Sequence, residues 1–151
     1  CIRDRAGMFF NIRLETGKTE LIRAVVEGIC FHMRWMLERQ EQKVSKYKKE
    51  DTVRFCGGGA LGETTCQILS DILQRDVVVV ESPQNIGAVG AAACIAVGMK
   101  LIPTMKDVKK LIPVKTIYHP NKANKAVYDR NFQVFKNLYK DNKKNFEILN
   151  G

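Results

Sequence analysis

Asp51-Thr-Val-Arg-Phe-Cys-Gly-Gly-Gly-Ala60 is the stretch that decides how this sequence folds. A β-type run, Asp51–Arg54, passes through Phe55-Cys-Gly-Gly-Gly-Ala60 into an amphipathic, helix-type segment that opens near Gly62. Without a Cβ, glycine adopts φ > 0 freely and lets a backbone come within contact distance of a ligand. The first amides of the helix that follows have no intrahelical acceptor and carry partial positive charge, so they suit an anion. A nucleotide, with phosphates and a polar ring, is the natural guest of such a turn.

Downstream, Cys66, Leu69, Ile72 and Leu73 recur at helical spacing, and Asp76 introduces Val77-Val-Val-Val80. Four β-branched residues in a row predict a strand buried on both faces, as in a parallel or mixed sheet. The turn Glu81–Asn85 then feeds Ile86–Gly98, apolar all round and rich in glycine and alanine. It is expected to be a thin helix pressed against neighbouring backbone and ended by Gly98. Upstream, Met8–Ile12 reads as a strand and Thr16–Thr19 as a turn ending in a helix cap. A helix from Leu21 to about Gln40 follows, with Leu21, Val25, Ile29, Met33, Met36 and Leu37 as its buried stripe and Trp35 off that stripe. The polar run Glu38–Glu50 is expected to fray from helix into loop. Strands and helices alternate through residue 98, which calls for α/β layering with ligands beyond the carboxyl ends of the strands. Residues 100–120 are expected to be a connecting loop with a short helix near Met105–Leu111, and 121–151 a terminal helix, about Ala123–Phe146, and tail.

The chain has 151 residues, 45% of them hydrophobic, enough for one domain with a core. No apolar run approaches the ~18 to 20 residues of a membrane span. Cys1-Ile-Arg-Asp-Arg5 does not resemble a signal peptide, and the absence of an initiating Met suggests a piece of a longer protein. Five cysteines, Cys1, Cys30, Cys56, Cys66 and Cys94, contain no C-x-x-C pair. They are expected to be buried, reduced thiols of a cytoplasmic protein, since neither His32 nor His119 sits in a recognisable catalytic setting. The net charge of +9 divides into +1 over residues 1–99 and +8 over residues 100–151. In that last third Lys122, Lys125, Lys136, Lys140, Lys143 and Lys144 interleave with Val127, Phe132, Phe135 and Leu138, the pattern of a solvated amphipathic helix rather than a nucleic-acid groove.

Two nucleotide readings compete over the central window. Gly57, Gly59 and Gly62 spell G-x-G-x-x-G, and Glu81 lies near the offset of a ribose-binding acid, which together suit a nicotinamide-binding Rossmann domain. A tight packing turn with no ligand accounts for the glycines as well. The same window also resembles the C-terminal domain of the FGGY carbohydrate kinases, and there the likeness runs from end to end. Arg23-Ala-Val-Val-Glu-Gly28 is similar to that family's helix motif, and Phe55–Ala60 with Gln67, Asp71 and Leu73 to its adenine-nucleotide segment. Asn85–Ala93 resembles its small-residue helix, and Tyr118-His-Pro-Asn121 with Tyr128-Asp129 and Leu138-Tyr139 its ending. Within the family the pattern is most similar to the xylulokinase group, from which it departs at Gly62, often Ser there, and at Thr65, often Trp.

The resemblance implies an α/β, actin-like ATPase domain of ribonuclease H type, with a mixed sheet flanked by helices and a C-terminal helical tail. It implies an ATP-dependent sugar kinase, acting on a ketopentose such as xylulose, of which residues 1–151 form the nucleotide side, incomplete at its N-terminus. Carried over by motif, Gly58 shapes the turn, Gly59 and Ala60 line ATP or ADP near the ribose and α-phosphate, and Glu63 stands where a family side chain reaches adenine. The general base and the phosphate-gripping hairpin belong to the N-terminal part in such kinases, which also holds the Mg²⁺ together with the phosphates. No catalytic or metal residue is therefore assigned here, and Asp4, Asp71 and Asp76 read as loop or helix-face carboxylates. The expected partners are the N-terminal sugar-binding domain, ATP, the sugar and a second copy paired through an open sheet edge at Met8–Ile12, with no membrane and no nucleic acid. A basic adaptor or nucleic-acid-binding module is the non-enzyme alternative.

Overall fold

The computed structural model describes residues 7–44 and 51–150. Cys1–Arg5, with Asp4, and the end of the polar run at 45–50 lie outside the described residues. The element order is α1 (Lys18–Lys43), β1 (Thr52–Phe55), α2 (Glu63–Leu73), β2 (Asp76–Val80), α3 (Ile86–Gly98), α4 (Met105–Val108), β3 (Val114–Tyr118) and α5 (Lys125–Asn150). The sheet order is β1-β2-β3, with β1 parallel and β3 antiparallel to β2. The sheet is thus mixed, as expected.

Val77–Val80 is buried along its whole length because β2 is the central strand, paired on both edges. Val77 and Val79 share the core with Cys66, Ile68, Leu69 and Ile72 of α2 and with Cys30 and Phe31 of α1. The terminal helix α5 completes that core through Tyr128 and Phe132. Its aromatic stripe packs on α1: Phe31 lies about 6 Å, centroid to centroid, from Tyr128, Phe132 and Phe135, and Trp35 meets Phe135 and Tyr139 edge-on. That contact is why Trp35 falls off the expected stripe.

Several expectations are corrected. Met8–Ile12 is not a strand: Asn11 has φ 63°, and Met8, Phe9, Phe10 and Ile12 are all about half exposed, with no partner strand among the described residues. Among the described residues β1 is itself the sheet edge on the side away from β3. The helix cap is Gly17 rather than Thr19, and Thr16 Oγ1 instead accepts the Arg13 amide at 3.0 Å. The buried side of α1 is rotated from the stripe read in the sequence. Val26, Cys30, Phe31, Met33 and Trp35 pack inward, whereas Val25, Ile29 and Met36 are exposed. Periodicity cannot choose between two apolar faces, and α1 carries both.

Residues 100–120 hold the expected short helix, α4 with the 3-10 turn Lys109–Leu111, but they also supply the sheet strand β3 where loop was expected, so the α/β core extends beyond residue 99 to Tyr118. Val114-Lys-Thr-Ile-Tyr118 has exposed and half-buried positions typical of an edge strand, which leaves only a weak apolar signal. The small-residue helix α3 buries only Ala93, and a Cβ at Gly87, Gly90 or Gly98 would meet nothing within 4 Å. It is therefore not pressed against backbone, and the left-handed residue past its end is Lys100, at φ 60°, rather than Gly98. Of the described cysteines, Cys30 and Cys66 are buried, but Cys56 and Cys94 are exposed.

Candidate functional site

The glycine turn stands at the carboxyl ends of the parallel pair β1 and β2, where open α/β sheets bind ligands. Gly57 has φ 94°, a conformation that side chains rarely adopt, and it redirects the chain from β1 into a 3-10 turn over Gly58–Leu61. The Gly57 amide donates to Pro83 O at 2.8 Å, so the loop after β1 is tied to the loop after β2. That second loop is itself constrained, with Ser82 left-handed at φ 47° and Pro83 buried. Ala60 N–H returns to Gly57 O at 3.1 Å and Gly62 N–H to Gly59 O at 3.4 Å. The first bond of α2 is Cys66 N–H to Gly62 O, which leaves the amides of residues 63–65 at the helix mouth without intrahelical acceptors.

The four residues singled out in the sequence fall in this one turn, but with different freedoms. Gly58 is exposed, and a Cβ there would meet nothing within 4 Å, so this position has room for a guest. Gly59 is exposed too, yet its Cβ position is closed from within by the Phe55 ring, 3.1 Å away. Ala60 is 5% exposed, so it can offer a ligand backbone atoms only. Glu63 is exposed at the first position of α2, where its carboxylate can accept from an amine beyond the turn. Cys66 sits beneath the turn with its thiol 3.6 Å from Ala60 O, and burial pushes that thiol up in pKa.

Behind the site, Asp71 is buried and accepts hydrogen bonds from Gln67 Nε2 at 2.9 Å, Asn121 N at 2.8 Å and Asn124 Nδ2 at 2.8 Å. Gln67 Nε2 also donates to His119 O at 2.9 Å, and Ser70 Oγ lies 2.9 Å from Tyr118 O. Three α2 side chains therefore clasp the 118–124 segment that launches α5. Asp76 lies 2.8 Å from His119 Nδ1. Asp71 is a helix residue, as read, whereas Asp76 opens β2 rather than lying in a loop or on a helix face. Spacing in the sequence assigns no role to the Phe55 ring, Pro83 O or Asn124, because the first depends on side-chain direction and the other two on partners distant in the chain, Gly57 and Asp71.

A second charged cluster joins α1, α2 and α5. Arg34 bonds Glu38 at 3.0 Å, Asp129 at 2.8 Å and Ile72 O at 3.1 Å, and Arg75 grips Glu41 at 2.5 and 2.9 Å. These residues border a polar cavity of about 360 Å³ in which acids and bases pair with one another. Among the described residues no group of three or more His, Cys, Asp or Glu side chains is placed to hold a metal ion.

Turn, helix mouth and parallel strand ends define an α/β domain with a mixed sheet, whose third strand runs antiparallel where a doubly wound dinucleotide sheet would continue parallel. The chain belongs to the FGGY family of carbohydrate kinases: residues 2–99 match the model of that family's C-terminal domain. The xylulose kinase of Lactococcus lactis is 29% identical over 137 residues, covering 89% of this chain and 27% of the relative. The glycerol kinase of Allorhizobium ampelinum is 32% identical over 104 residues, 68% of this chain and 20% of the relative. The crystal structure of xylulose kinase from Rhodospirillum rubrum superposes with a TM-score of 0.75 at 25% identity, over 94% of this chain and 28% of that one. The fold is accordingly the actin-like ATPase fold, and the chain spans about a quarter of the length of the relatives it matches. Nothing in these likenesses supports the dehydrogenase reading or the nucleic-acid-binding reading.

Proposed function

We propose that this chain is the nucleotide side of an ATP-dependent carbohydrate kinase that transfers the γ-phosphoryl of ATP to a sugar hydroxyl, with xylulose as substrate and xylulose 5-phosphate as product. The observation that carries the reading is the Gly57–Glu63 turn at the ends of two parallel strands, in a chain of this family. In this reading the open side of Gly58 and the backbone of Gly59 and Ala60 receive ribose and α-phosphate, the helix-mouth amides favour negative charge, and Glu63 meets adenine. Phosphoryl transfer needs positioning, charge neutralisation and one base. The base, the γ-phosphate grip and the ligands of the Mg²⁺ that accompanies ATP are assigned to the N-terminal part of the protein, which also binds the sugar. Two surfaces suit packing against that part: the outer edge of β1, which among the described residues pairs with β2 alone, and the exposed α1 stripe Ile22, Val25, Ile29 and Met36. A cytoplasmic location follows from the substrates, and among the described residues no helix is long and apolar enough to cross a membrane.

The test is ATP turnover by the whole protein and by residues 1–151 alone, across xylulose, other pentoses, glycerol and gluconate. The whole protein is expected to phosphorylate xylulose best and the isolated chain to phosphorylate nothing. Robust transfer by the isolated chain would refute the division of labour, and a preference for glycerol would refute the substrate.

A further inference from the structure

Phe55 closes β1, opposite Val79 of β2, and packs against the buried core. Its ring also stands under the glycine turn. A Cβ built on Gly59 would lie 3.1 Å from Phe55 Cζ and 3.7 Å from Cε1, whereas Gly58 next to it has open space. Ring and backbone therefore meet at Gly59 because that residue has no side chain. The ring lines an apolar groove of about 220 Å³ bordered by Met33, Met36, Leu37, Leu69 and Leu73, so it lies between that groove and the turn.

A three-glycine segment is the backbone with most conformational freedom to lose, and few hydrogen bonds restrain it here. Gly57 N–H to Pro83 O anchors its start, and the Gly62 amide bond at its end is long, at 3.4 Å. Between those points Ala60 N–H closes on Gly57 O at 3.1 Å and the Cys66 thiol lies 3.6 Å from Ala60 O, while the body beneath Gly59 itself is the Phe55 ring. We propose that Phe55 is a positioning residue for the nucleotide turn, its ring setting the height of the Gly58–Ala60 backbone and hence the affinity of the site. This inference rests on the nucleotide reading above.

Size complementation between residues 55 and 59 tests it. Phe55→Leu, Gly59→Ala and the double variant are made in the whole protein, and MgADP affinity is measured by calorimetry beside the KM for ATP and kcat. Gly59→Ala should weaken MgADP about tenfold by pushing the turn off the ring, and Phe55→Leu should do so by a similar factor through lost support. In the Phe55→Leu background the smaller side chain leaves room for the alanine methyl, so adding Gly59→Ala should cost less than about twofold more. Both single variants should raise the KM for ATP, and Phe55→Leu should do so while the sugar KM and kcat stay near wild type. Penalties that multiply in the double variant, or a Phe55→Leu protein that binds MgADP like wild type, would overturn the proposal. A wild-type protein that binds no adenine nucleotide would instead overturn the functional reading beneath it.

Discussion

Replacing Asp71 by alanine should loosen the C-terminal helix from the nucleotide domain. Its carboxylate is 5% exposed and accepts three hydrogen bonds, from Gln67, Asn121 and Asn124. After substitution Gln67 keeps His119 O as an acceptor, so two donors, Asn121 N–H and Asn124 Nδ2, lose their partner. Bonds to a charged acceptor contribute about 1.5–3 kcal/mol each, which bounds the loss at about 3–6 kcal/mol. Asn121 is exposed and water can replace part of its bond, so the expected cost is about 2–4 kcal/mol. Asp71→Asn presents one oxygen and one amide that cannot accept, and should cost about half as much. Urea denaturation followed by far-UV dichroism measures both, and hydrogen exchange should show the first turns of α5 opening first. A loss below about 0.5 kcal/mol for Asp71→Ala, or unchanged protection at residues 121–128, would refute the clasp.

Asp129 is held below the usual carboxylate range by its bond to Lys125 and then by Arg34. Its contribution to stability should be complete above the unfolded pKa of about 3.9 and fade as pH falls toward the lower folded value. Melting curves from pH 6 to 2 should therefore be flatter at the acid end for Asp129→Asn, and parallel curves would contradict the pairing. Iodoacetamide at pH 8 should modify Cys56 and Cys94 rapidly and Cys30 slowly, because burial, with Glu27 nearby, pushes the Cys30 thiol up to about 11. Peptide mass spectrometry reads this, and equal rates at all three would contradict it. The isolated chain should associate with itself through the β1 edge and the outer α1 stripe, and Met36→Glu should restore the monomer in light scattering across a dilution series. A wild-type chain that is monomeric at every concentration would refute that surface.

Much of this fold is legible in the sequence because its strongest elements declare themselves locally. Four consecutive valines make β2, three glycines after a β-type run make the turn, and the aromatic spacing of α5 marks the side that meets α1. What was not legible depends on partners. Met8–Ile12 has strand composition but no neighbouring strand among the described residues, and a strand without a ladder is not one. The two apolar faces of α1 cannot be ranked until α2 and α5 claim one of them. β3 is short and half exposed, and pairing with β2 rather than its own hydropathy makes it a strand. In the candidate site the glycines announced the turn, while Phe55 closing Gly59 from below depends on a side-chain direction that spacing does not encode.

The central claim, that the Gly57–Glu63 turn receives an adenine nucleotide, is tested most directly by titrating ¹⁵N-labelled protein with MgADP and, separately, with NAD. MgADP is predicted to give saturable shifts concentrated in the amides of residues 57–65, with weaker or no response to NAD. Saturable shifts for NAD in that turn without any for MgADP, or MgADP shifts that fall elsewhere in the chain, would contradict the account.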